Sequence, residues 1–156
     1  MLGIPASDAQ WRFVNSVGAA ILLAFAITAL AIPAASRRPA LRPVVLALCW
    51  LTTVGFVMHA MVDRTVRVLT LSGLLAMDCP FWLSVNAREY DLQDLLFNEP
   101  WFLIEGLLWG AIAWSAGVGR APHRRWWVAT ALLAIAALTA AGLLSATGVI
   151  GKFIVY

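Results

Sequence analysis

Four apolar runs, each near the length of a bilayer crossing and almost free of charge, set what this chain can fold into. A membrane-spanning helix takes roughly 20 apolar residues. The runs cover about 13–35, 43–70, 101–118 and 126–150. Within lipid every backbone polar group must be satisfied internally, and runs this long do so as helices. The expectation is a single membrane domain over residues 1–156: an all-α integral membrane protein with four transmembrane helices in a bundle. The chain is 62% hydrophobic and 12% charged, against roughly a quarter charged in an ordinary globular domain.

The linkers orient the bundle. Arg37, Arg38 and Arg42 follow the first run, and Arg120, Arg124 and Arg125 separate the third from the fourth. Short basic loops stay in the cytoplasm. Four spans make both loops agree and put both termini outside or in a lumen, in a bacterial plasma membrane or a eukaryotic ER. The net charge of +3 comes from these loops and reports topology, and no basic run interleaved with aromatics points to nucleic acid. Ala31 to Ser36 could pass for a signal-peptidase site, but the start is poorly basic and Arg37-Arg38 follow at once, so the first run is expected to stay as a span. Between the second and third runs, Asp78 to Pro100 mixes five acids with Phe81, Trp82, Tyr90 and several leucines. That pattern predicts an interfacial helix or lid lying on the membrane.

Ionisable residues inside such runs are costly and mark function. His59 and Asp63 stand four apart in the second run and so share a helix face. Glu105 stands early in the third, with no basic residue within a helical turn. In an up-and-down bundle all three fall at similar depth and are expected to converge on one cavity. Plainer roles stay open: Asp63 paired with an outward-snorkelling Arg67, and His59 as a hydrogen-bonded helix contact. Trp11, Trp101, Trp126 and Trp127 sit at span ends, where an interfacial belt accounts for them. Trp50, Trp109 and Trp114 lie within spans, where packing is the default. Trp109 is four residues after Glu105, and an aromatic face beside an acid can shelter a positive charge. Cys49 and Cys79 make no metal spacing, and no phosphate loop or nucleophile elbow is present. An acid, a proton acceptor and aromatic walls in an apolar pocket suit carbocation chemistry on a lipid-like olefin. That chemistry implies no cofactor.

These residues also resemble a family. Leu48-Cys49-Trp50 and Gly55-Phe56 lead into His59 and its step to Asp63. Arg88-Glu89-Tyr90 follows, then Asn98-Glu99 ahead of Glu105, then Leu108-Trp109-Gly110. Over roughly Trp11 to Trp127 the chain resembles the emopamil-binding, EXPERA-domain membrane proteins, which include sterol isomerases and receptor-like binding proteins. The resemblance implies His59, Asp63 and Glu105 as catalytic residues that protonate a double bond and remove a neighbouring proton. It implies Trp50, Trp109, Asn98 and Glu99 as substrate contacts.

The reading is a membrane isomerase or terpene cyclase acting on a terpenoid or sterol-like olefin, with that small molecule and membrane lipids as partners. A homodimer is expected as well, because the isomerases close their pocket with a fifth span. The alternatives are a non-catalytic binding protein for a sterol-like or cationic amphiphile, and an accessory membrane subunit.

Overall fold

The computed structural model describes residues 3–5, 8–76, 82–116, 118 and 122–151. Helices dominate. The first, α1 (Asp8–Ser36), and the second, α2 (Arg42–Leu71), are joined by a tight basic turn. Pro43 stands in the first turn of α2, where its missing N–H costs nothing. A short helix, α3 (Ala87–Gln93), passes through a π-helical turn (Asp94–Asn98) into α4 (Glu99–Ser115), and α5 (Arg124–Ala146) follows.

Two helix ends use glycine in the same way. Beyond α2, Gly73 has φ 75° and Leu74 N–H bonds back to the Leu69 carbonyl; beyond α5, Gly148 has φ 75° and Val149 N–H reaches Leu144. Each left-handed glycine closes a Schellman turn that satisfies last-turn carbonyls. Asn86 caps α3 by accepting from the Glu89 N–H.

Three helical segments, Asn15–Ser36, Arg42–Leu71 and Arg124–Ala146, are long and apolar enough to cross a membrane. The third expected run forms α4, whose 17 residues continue α3 and the π turn without a break. Large apolar side chains face outward on every long helix, among them Leu23 and Leu30 of α1, Leu107 of α4 and Leu133 of α5. Thr28, Thr52, Thr53 and Thr65 turn their hydroxyls onto backbone carbonyls one turn back, so these polar groups are satisfied within their own helix.

α2 is the centre of the assembly, packing along α4 on one side and α5 on another, with α1 touching it more lightly. The α2–α4 contact is close because Gly106 faces Val57: an added Cβ would come within 2.7 Å of the Val57 Cγ2. One end of this contact is a small apolar core of Ile32, Val45, Cys49, Trp109, Ala113 and Val118.

Two expectations change here. The acidic segment is not a separate helix lying on a surface. From Ala87 onward it extends α4 and packs against the last turns of α2. Its lead-in, β2 (Trp82–Val85), pairs antiparallel with β1 (Gly3–Pro5), a two-stranded ribbon with no counterpart in the sequence reading. Residues 77–81, including the acid Asp78, lie outside the described residues.

Candidate functional site

At the other end of the α2–α4 contact the polar residues gather. His59 and Asp63 stand one turn apart on α2, with His59 Nε2 3.5 Å from Asp63 Oδ2. Glu99, the first residue of α4, meets them from across the helix pair. One possible ligand atom from each of the three lies within 4.8 Å of the others. Glu99 is 3% exposed, and its Oε2 is buried without a hydrogen-bond partner. The His59 side chain is 43% exposed, so the cluster opens to its surroundings through the imidazole.

One turn further along α2, Arg67 is turned inward and is 3% exposed. Its Nη1 lies 3.2 Å from Asp91 Oδ1 and its Nη2 2.7 Å from Asp94 Oδ2. The guanidinium also stacks over the Tyr90 ring, 4.8 Å from the centroid. The Asn98 side-chain amide donates to the same Asp94 carboxylate. The expectation that Arg67 snorkels outward is corrected: α3 and the π turn bring two carboxylates over it, and a planar fork binds two acceptors better than water does in an enclosed space.

The π turn is what aligns these carboxylates. Asp91, Asp94 and Glu99 are all buried against α2, while Asn98 is exposed. A regular α-helix would bring position 98, not 99, back over Asp94. The extra residue in the turn lets the Glu99 N–H bond to the Asp94 carbonyl and carries Glu99 to the α2 side. Such bulges often sit at functional sites.

The convergence expected for Glu105 is made by Glu99 instead. Glu105 is half-buried on α4 and is not among the side chains that meet at His59 and Asp63. Gly106 next to it takes the helix contact, which leaves Glu105 on the flank. The aromatic wall differs too. Phe102 meets His59 edge-on at 4.7 Å, Phe56 follows at 5.7 Å, and Phe25 of α1 at 5.3 Å beyond that. Trp109 packs in the apolar core against Phe25, ten residues or about 15 Å along α4 from Glu99. Trp50 lines an apolar groove of about 470 Å³ with Leu46, Ala47, Leu51 and Trp127. A second groove, about 520 Å³, lies beside the Arg67–Asp91 pair and is lined by Thr70, Leu71, Ala87, Arg88, Asp91 and Leu92.

The cluster can exchange protons. Two carboxyls and an imidazole stand within reach of one another, a guanidinium is held beside them, and phenyl rings close one side. Glu99 was legible only as part of a short motif. Phe102 carried no sequence signal beyond its place three residues after Glu99.

No family model, curated protein or solved structure matches this chain.

Proposed function

We propose that the chain is a four-span membrane enzyme that shifts a double bond, or initiates ring closure, in a terpenoid or sterol-like lipid by proton transfer. The observation that carries this reading is the convergence of His59, Asp63 and Glu99 within 4.8 Å beside the Phe102 ring. One carboxylic acid adds its proton to the olefin. The electron pair of the double bond forms the new C–H bond, and the adjacent carbon becomes a cation. A carboxylate then removes a proton from a neighbouring carbon, restoring a double bond one position along. His59 returns the proton to the starting acid, so no net proton is consumed. The Phe102 and Phe56 faces stabilise the cation between the two steps.

Depth supports the same reading. A 30-residue helix such as α2 is about 45 Å long, against a hydrocarbon core of about 30 Å. With its basic start at the cytoplasmic face, the turns carrying Asp63 and Arg67 emerge near the outer boundary. α4 then re-enters beside them, with both termini outward. There a lipid-borne olefin and water-borne protons both have access.

The test is a product assay in deuterated water with a panel of terpenoid olefins and epoxides, using purified protein in lipid. Deuterium in an isomerised or cyclised product, lost in Glu99→Gln and Asp63→Asn, supports proton-transfer catalysis at this site. Turnover that survives both substitutions refutes it.

A further inference from the structure

One buried guanidinium, Arg67, stands among four carboxyls: Asp91 and Asp94, which grip it, and Asp63 and Glu99 further along. Buried carboxylates need a compensating charge and filled hydrogen-bonding positions. Glu99 has neither in full, for its Oε2 is enclosed and unpartnered. His59 completes a set of one imidazole nitrogen and two carboxylate oxygens.

We infer that His59, Asp63 and Glu99 form a binding site for a divalent transition-metal cation of the Zn²⁺ type. A mixed nitrogen and oxygen set suits such cations, and three protein ligands with one open side are how accessible zinc sites are built. Ligands about 2.0–2.1 Å from a tetrahedral ion stand roughly 3.4 Å apart. The His59–Asp63 separation of 3.5 Å is close to that value, and all three candidate ligand atoms lie within 4.8 Å of one another. The open side is that of His59, the most accessible of the three. The inference goes beyond the proton-transfer reading: a cation bound here takes the lone pairs that carry the protons, so the metal-free site is the one that turns over and the cation inhibits it.

Cobalt tests this without a substrate. The full chain, in lipid nanodiscs and stripped by chelator, is titrated with Co²⁺ while its visible absorption is followed. The expected result is a ligand-field band that saturates at one Co²⁺ per chain and is bleached by Zn²⁺. Glu99→Gln and His59→Ala should each weaken binding at least about tenfold, and Glu105→Gln should not. The half-exposed His59 can be truncated without opening the core, and circular dichroism verifies the helicity of each variant. No saturable band in the wild type, or affinity unchanged in Glu99→Gln and His59→Ala, overturns the inference. Failure here leaves the deuterium assay untouched, so the two readings fall separately.

Discussion

The Glu99 N–H donates to the Asp94 carbonyl five residues back, and both side chains face α2. A single π turn thus does two jobs. It keeps Asp94 on Arg67, and it swings Glu99 to the pair formed by His59 and Asp63. The residues it displaces, Leu96 and Phe97, are exposed.

The π turn should be removable. Deleting Phe97 leaves Asp94 and Glu99 four apart, and four residues of α-helix make about one turn. The shortened chain is expected to fold with both carboxyls still on the α2 face. Its helicity by circular dichroism should match the wild type. A chain that fails to fold would show that the turn sets more than this phase.

The closest point of the helix pair should be the most sensitive to size. A Cβ on Gly106 would meet Val57 Cγ2 at 2.7 Å and the Val57 backbone N at 3.1 Å. Forcing such overlap costs about 1–3 kcal/mol. Gly106→Ala should therefore lower the melting temperature in detergent clearly. At Gly110 the nearest atom is Thr53 Cγ2 at 3.5 Å, an ordinary contact, so Gly110→Ala should change it little.

Arg67 is expected to be a structural keystone of the polar end. Arg67→Met strands Asp91 and Asp94 in a buried setting, and breaking a buried pair from one side costs about 3–5 kcal/mol. Adding Asp91→Asn and Asp94→Asn should recover much of the loss, since the two carboxylates that grip Arg67 are then neutral. Chemical unfolding of the single and triple variants measures both steps. A triple variant no more stable than Arg67→Met would contradict the pairing.

The two candidate acids on α4 should separate in turnover. If Glu99 gives or takes the proton, Glu99→Gln loses about 10²-fold or more in kcat, the usual scale of general acid–base catalysis. Glu105→Gln, on the flank, should lose only a few-fold. The reverse order would return the acid role to Glu105 and detach the cluster from the chemistry.

Lipid-length apolar runs made the long helices legible in the chain, because the bilayer demands length and hydropathy whatever the helices pack against. The step of four from His59 to Asp63 was legible for a similar local reason: α-helical pitch puts them on one face. Helix phase beyond Asp94 was not. It turns on a π bulge packed against α2, and Glu99 stands just ahead of the third apolar run, so the search for ionisable residues inside the runs passed over it for Glu105. The inward turn of Arg67 was hidden because its partners come from a segment that reads as a surface lid. The same distance in sequence concealed the metal-like grouping, whose third member lies on another helix and forms no short-range spacing with the first two. What the sequence determined by itself is the set of apolar helices and the residues able to carry a proton. Which of those residues meet was decided only by the tertiary structure, because a glycine lets α2 and α4 close together and one extra residue in a helical turn rotates a carboxyl into their contact.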